Sequence, residues 1–357
     1  MVRAAVSGSF VIEWHRGTDA MAEEWRALAR QTRAEPFLWP EWFDAWFEAF
    51  GEEALIAVAR RDNNLVAVLP LQESRSVLTS PTNWHTPMFG AVGESTDAVA
   101  AVARAALATR PRRLSLSFVD RGDPLLGVLQ AAAEGAGYRT LDVAMLRSPY
   151  LELNGGWDQI WGGLGSKRRN TIKRRKRRLE ERGRLELAVN RGGGDVGRLL
   201  DDALRVEALG WKGKRGTAIA ADPATDRFYR RVAAAAADRG ALRLALLRLD
   251  ERLIAFDFSI ECNEHHYLLK TGFDPDLREC APGIVLRSMM IRRAADEGIR
   301  WYEFLGKEDP YKLEWTGLAR ERRRLHAFAP TPAGFAHLAA FRYGRPAAKR
   351  ALGLRRR

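Results

Sequence analysis

The fold is decided by the stretch Leu242-Arg243-Leu244-Ala245-Leu246-Leu247-Arg248-Leu249-Asp250-Glu251-Arg252-Leu253-Ile254-Ala255-Phe256-Asp257-Phe258-Ser259-Ile260-Glu261. Leu242–Leu249 is an apolar run of strand length, and Asp250-Glu251 turns the chain. The next residues alternate. Ile254, Phe256, Phe258 and Ile260 point one way, and Ala255, Asp257, Ser259 and Glu261 the other, which predicts a half-buried strand. Asn263-Glu264 turns again, and His266–Phe273 makes a third strand. After the Asp274-Pro275 loop, Pro282 suits the first position of a helix that Gly298 closes, and Ile299–Leu305 is a strand. The predicted class is α/β (α+β): a mixed, mostly antiparallel sheet flanked by helices.

The N-terminal half repeats this order. Leu55–Arg60 and Leu65–Leu71 flank a turn at Asp62-Asn63-Asn64, Ser95–Thr109 reads as a helix, and Arg112–Val119 as a strand. A shift of 188 residues carries Asp62 onto Asp250, Leu65 onto Leu253 and Ala67 onto Ala255. The matched order of elements predicts a duplicated domain. The bland alternative is two unrelated α/β lobes. Length agrees with two domains, since 357 residues exceed one typical core. The expected division is 1–150, 151–329 and a basic C-terminal extension, 330–357.

The net charge of +13 is concentrated in two places. Residues 167–184 carry +9 and residues 342–357 carry +7, which leaves the remainder slightly acidic. That pattern argues against a general nucleic-acid-coating surface. No apolar run reaches the ~18 residues of a membrane span. The start Met1-Val2-Arg3-Ala4-Ala5-Val6 lacks the apolar core of a secretion signal, so a cytoplasmic location is expected. The basic tail allows at most peripheral contact with anionic lipid. Cys262 and Cys280 have no partner motif and read as reduced thiols. The six histidines show no metal-ligand spacing, so no metal is expected.

Residues 166–182 read as a helix that Ser166 caps and Gly183 ends, with a narrow apolar side of Leu164, Ile172 and Leu179. Like charges stand four apart at Arg169/Lys173, Lys173/Arg177, Arg174/Arg178 and Arg178/Arg182. In isolation such pairs cost about 1–2 kcal/mol, which calls for an anion or an acidic platform. A carrier protein or tRNA fits that need. Sequence-specific DNA does not, because no helix-turn-helix or zinc finger accompanies the segment. The plain alternative is a solvated helix joining two lobes.

Three stretches carry a family resemblance: Glu207-Ala208-Leu209-Gly210-Trp211-Lys212-Gly213-Lys214-Arg215-Gly216, then Thr271-Gly272-Phe273-Asp274-Pro275 with Ala281-Pro282-Gly283-Ile284, then Leu305-Gly306-Lys307-Glu308-Asp309-Pro310-Tyr311-Lys312-Leu313-Glu314-Trp315. Together, and with Ser166–Asn170 and Pro36-Phe37, they resemble the CelD/BcsL-like acetyltransferases of the GNAT superfamily. Those are related to the Fem aminoacyl transferases. The resemblance spans roughly residues 20–328. It implies two tandem GNAT-like lobes, the first degenerate and the second catalytic. It also implies transfer of an acyl group, typically acetyl, from acyl-CoA to an amine or hydroxyl of a small, glycan-linked or lipid-linked acceptor, with family naming pointing to envelope polysaccharide biosynthesis. The Fem relatives make charged tRNA the alternative donor, and a non-catalytic binding module is a third reading. The phosphate-binding Q/RxxGxG/A loop of the superfamily is incomplete here: Arg278-Glu279-Cys280-Ala281-Pro282-Gly283 keeps Arg278 and Gly283 beside Ile284, where backbone N–H groups can hold phosphate.

Acyl transfer needs a nucleophile, a base and donors for the developing oxyanion. By the resemblance, Tyr311 serves the leaving thiolate and Lys312 stabilises negative charge. Trp211 and Lys212 border the acceptor together with Trp315. Asp274 and Asp257 are the carboxylate candidates for the base, ahead of Glu303 and Asp309. The ordinary alternatives are core packing for the tryptophans, a surface site for Lys312 and a turn for Asp274.

Overall fold

Apolar alternation, tight polar turns and capped amphipathic helices build the chain into two compact units. Unit 1 comprises residues 1–47, 51–146 and 321–357, and unit 2 residues 48–50 and 147–320. The computed structural model describes residues 5–7, 9–51, 53–210 and 219–344. Trp211, Lys212 and the tail from 345 lie outside the described residues.

Unit 1 contains β1 (Ala5–Ser7), β2 (Phe10–His15), α1 (Ala22–Gln31), α2 (Pro40–Phe50) up to Phe47, β3 (Ala54–Arg61), β4 (Asn64–Ser74), β5 (Val77–Thr79), β6 (Val92–Gly93), α3 (Thr96–Ala108), β7 (Arg113–Asp120) and α4 (Pro124–Gly135). The chain passes to unit 2 within β8 (Arg139–Glu152). There follow α5 (Gly156–Gly163), α6 (Ser166–Glu180), β9 (Leu185–Asn190), α7 (Val196–Leu209), α8 (Pro223–Asp238), β10 (Leu242–Leu249), β11 (Arg252–Cys262), β12 (His265–Phe273), α9 (Pro282–Asp296), β13 (Trp301–Glu303) and α10 (Pro310–Leu313). Strand β14 (Ala319–Phe328) returns the chain to unit 1 and pairs antiparallel with β7; α11 (Pro332–Ala339) follows.

The internal repeat holds at fixed register. β3 and β4 lie 188 residues before β10 and β11, residue for residue. The parallel pairs Val77↔Arg113 and His265↔Trp301 have the same offset. So do the bulges at Ala59/Arg60 and Leu247/Arg248. Positive φ recurs likewise, at Arg75 and Asn263 and at Phe118 and Gly306. A bulge and a left-handed residue each need specific local geometry, so their recurrence at one offset is stronger testimony than sequence identity.

The two sheets differ where the chain passes β7 in unit 1 and β13 in unit 2. In unit 1 the chain leaves β4 after Thr79 and crosses to β7. Ser80 N–H donates to Ser115 O (3.0 Å), Ser117 N–H to Ser80 Oγ (2.9 Å) and Phe89 N–H to Phe118 O (3.0 Å). Residues 80–91 thus run beside β7 and bury Phe89, before β6 returns the chain to β4 at Val68↔Val92. In unit 2 the equivalent stretch stays on β11: Phe258↔Lys270, Asp257↔Thr271 and Ala255↔Phe273. Among the described residues β12 and β13 pair only over His265–Tyr267 and then part.

Several expectations are corrected. β11 is buried on both faces, not one, because α7 packs on one side and α9 on the other. The predicted strand Ile299–Leu305 shortens to Trp301–Glu303, since Leu305 and Gly306 turn left-handed. In α6 the N-cap is Gly165, without a side-chain cap, and the helix ends at Glu180, before Gly183.

Candidate active site

The parting of β12 from β13 leaves the backbone of β12 beyond Tyr267 without a sheet partner on that side, among the described residues. The β11–β12 register shift makes Leu269 the extra residue of a bulge at this point. The fold therefore places an open strand edge and an irregular backbone together.

On the α9 side of the sheet lies a buried polar network. Arg287, 3% exposed, donates to Asp257 Oδ1 (3.0 Å) and to the Tyr302 hydroxyl (2.8 Å). Burial pushes the Asp257 carboxyl up, against the pull of Arg287 and the Thr271 hydroxyl. Tyr302 stacks on His266 with ring centroids 4.5 Å apart, and His266 Nδ1 lies 2.8 Å from Glu261 Oε1. Tyr311 stands at the edge of this network and is 37% exposed. Its hydroxyl is nevertheless pushed up to about 12, chiefly by burial, with Arg287 opposing and Asp309 and Asp257 adding.

The expected residues fall into three groups. Asp257, Tyr311 and Lys312 come together around Arg287. Lys312 is buried and donates to Leu305 O (2.8 Å) and Lys307 O (2.9 Å), and pairs with Asp309 Oδ2 (2.9 Å). Three donors meet three acceptors. Its ammonium ties the 305–309 loop, with all three N–H groups engaged within the chain. The amine is close enough to Gly306 (φ +59) that a Cβ there would lie 3.3 Å from it.

Asp274 and Trp315 are likewise engaged elsewhere. Asp274 pairs with Arg252 and caps the following turn by accepting from Asp276 N–H (3.0 Å). Trp315 is buried, with Arg168 lying 5.5 Å over its ring. At α9, Ala281 adopts φ 45° and no side chain caps the helix, so its first N–H groups have no side-chain partner. Gly283 and Ile284 head that helix, and a Cβ at Gly283 would meet Phe273 at 3.4 Å. Arg278 is solvent-exposed in the preceding turn. Among the described residues no group of three or more His, Cys, Asp or Glu side chains is placed to hold a metal.

Sequence reasoning missed Arg287, one of three arginines in α9. Only its position under Asp257 distinguishes it. The basic residues of α6 also divide in a way that sequence hides. Arg169 Nη1 donates to Gly162 O (2.9 Å) and Leu164 O, capping the end of α5. Arg168 pairs with Glu314. Lys167, Arg174, Arg178 and Arg182 stay exposed along one side, and no acidic side chain within the described residues pairs with them.

Residues 166–313 match the family model of an acetyltransferase (GNAT) domain. No curated protein sequence matches the chain. Among solved structures, the chain is similar to the C-terminal domain of a putative lysylphosphatidylglycerol synthetase from Agrobacterium fabrum. The TM-score is 0.58 and the identity 13%, covering 91% of this chain and 96% of the other. It is similar to FemX at TM-score 0.57 and 12% identity, over 86% of this chain and 96% of that one. A conserved protein of unknown function from Bacteroides thetaiotaomicron gives 0.56 and 11%, over 92% and 100%. At such identities the likeness is one of fold.

Proposed function

We propose that the chain is an acyltransferase that takes an acyl group, acetyl in the simplest case, from acyl-CoA in the gap between β12 and β13. The observation that carries this reading is the contrast between the two units. At the same offset, residues 80–91 run beside β7 in unit 1, whereas in unit 2 β12 and β13 part and, among the described residues, no strand pairs with β12 beyond Tyr267 on that side. The match to the GNAT model falls on unit 2 as well. The pyrophosphate would meet the uncapped start of α9 at Gly283 and Ile284, with Arg278 nearby. The open edge of β12 offers backbone donors to the thioester carbonyl, where such donors are worth about 3–4 kcal/mol in the transition state. Tyr311, which keeps its proton at neutral pH, would return it to the leaving thiolate. Asp257 and Arg287 hold Tyr302 and set the field around Tyr311; they are too buried to touch the acceptor.

A second reading is favoured by the exposed cations of α6 and by Arg182 just after it: an aminoacyl donor on tRNA, whose phosphates would lie along Lys167, Arg174, Arg178 and Arg182. The name of the Agrobacterium relative points to a phospholipid acceptor, and family naming to an envelope glycan. Both are acceptor hypotheses of the same chemistry.

One experiment separates the donors. The purified chain is titrated with acetyl-CoA and longer acyl-CoAs by native mass spectrometry and thermal shift. A stoichiometric complex with a raised Tm supports the thioester reading. Absence of binding, with tRNA binding that falls steeply in salt, transfers the assignment to the aminoacyl donor.

A further inference from the structure

The bases expected from the sequence are engaged by arginines: Asp257, on the α9 side of the sheet, by Arg287, and Asp274 by Arg252. The other side of β12 holds a different arrangement. Lys270 pairs in register with Phe258 and so shares its face, toward α8. Its amine lies 4.8 Å over the Tyr229 ring. Among the described residues Lys270 Nζ has no hydrogen-bond or ion-pair partner, although the residue is half-buried. Tyr229 is 1% exposed and Glu207, on α7, 3%. α7 approaches β12 so closely that a Cβ at Gly272 would lie 3.2 Å from Glu207 Cα. Glu207 itself accepts from Ile219 N–H (2.9 Å). Lys270 follows the bulged Leu269, three positions beyond the last β12–β13 pair. It therefore stands where the gap begins, on the face opposite α9.

We propose that Lys270 is the base that takes the acceptor's proton. This inference rests on the acyl-transfer reading above. The donor's phosphates would lie at α9, so its thioester reaches the gap from that side, and the acceptor approaches from the α7–α8 side. The amine or hydroxyl lone pair attacks the thioester carbonyl carbon, forming the C–N or C–O bond. The acceptor's proton passes to neutral Lys270 Nζ. Collapse of the tetrahedral intermediate breaks the C–S bond, and the thiolate takes the Tyr311 proton. Exchange with water then resets both side chains. A lysine suits the role because burial pushes its ammonium below the ordinary lysine range, against the opposing charge of Glu207. The groups that face it are Glu207 from α7, Tyr229 from α8 and apolar Phe258 from β11.

The test uses the full chain with acetyl-CoA and with glucosamine as the amine probe. Acetic anhydride labelling across a pH series, read by mass spectrometry, should modify Lys270 at lower pH than the exposed Lys167 and Lys173. E207Q should move that midpoint lower still. Lys270→Met and Lys270→Arg should each reduce thiol release about 10²–10⁴-fold with unchanged acetyl-CoA affinity, because arginine cannot be deprotonated. Ordinary labelling of Lys270, rescue by arginine, or a wild-type rate no faster than that of K270M each overturns the proposal. Failure of the wild-type chain to bind acetyl-CoA, with Lys270 labelled early, overturns the donor reading instead.

Discussion

Tyr311 and Lys312 are neighbours with opposite fates. The tyrosine hydroxyl has been lifted to about 12, so it remains a proton donor throughout the neutral range. The sign follows from that direction. A raised tyrosine contributes stability that is complete below its ordinary value of 10.0 and is lost as pH climbs through about 12. Tyr311→Phe should therefore leave Tm near neutral pH unchanged and lower thiol release about 10²-fold or more, with acetyl-CoA affinity retained. Steady-state kinetics beside a binding isotherm checks this, and full turnover in Y311F removes the tyrosine from the mechanism. The sequence placed both residues in the right loop but could not apportion their roles. Two of the three acceptors that occupy Lys312 are main-chain carbonyls, at Leu305 and Lys307, and a carbonyl leaves no mark in a residue string. Lys270 was hidden for a related reason: a polar residue in a strand marks a face without saying what covers it.

At the scale of elements, α6 relieves only part of its own charge repulsion. Two of its arginines are drawn inward, one onto Trp315 and Glu314 and one onto the last carbonyls of α5, so the repulsion counted from spacing alone falls on the exposed side. Ile172 and Leu179 bury the narrow apolar side that the sequence marked. Among the described residues no helix is long and apolar enough to cross a membrane. The start of α4 offers an independent test. Asp123 caps it by accepting from Leu125 N–H (2.8 Å), yet burial pushes its carboxyl from 3.8 to about 6, with Glu35 and Asp120 adding to the rise and the cap opposing it. A carboxyl raised in this way stabilises unit 1 below its ordinary value, and that stability is lost as pH rises through about 6. Asp123→Asn keeps a capping oxygen and has no proton to lose. Thermal melts of wild type should decline between about pH 4 and 6 relative to D123N; parallel curves would show that the carboxyl is not perturbed.

Over the whole molecule, the duplication was legible because turns and strands obey local rules. Asp62 and Asp250 sit in the same left-handed turn position, and short-range chemistry fixes that position. What residues 80–91 do was not legible. Their departure from β4 toward β7 depends on pairing with Ser115 and Phe118, distant in sequence and available only once the sheet exists. If the site belongs to unit 2 alone, damage to this segment should be silent in binding. Phe89→Ala removes a ring that is 1% exposed and should lower the unfolding free energy by about 3–5 kcal/mol, with acetyl-CoA affinity unchanged. Denaturant titration and calorimetric binding on the same sample measure both. Loss of binding in a folded F89A protein would show that unit 1 contributes to the site.

Strand β14 carries a consequence in time. Arg322 pairs with Asp120 across 202 positions of chain, and β7 receives its antiparallel partner only from that late segment. A ribosome adding roughly 5–20 residues per second needs on the order of 10–40 s to deliver it. Unit 2, nearly contiguous, has all its strands before then. The half made first is thus completed last, and on the nascent chain its unfinished edge is what a chaperone, or another copy, would meet.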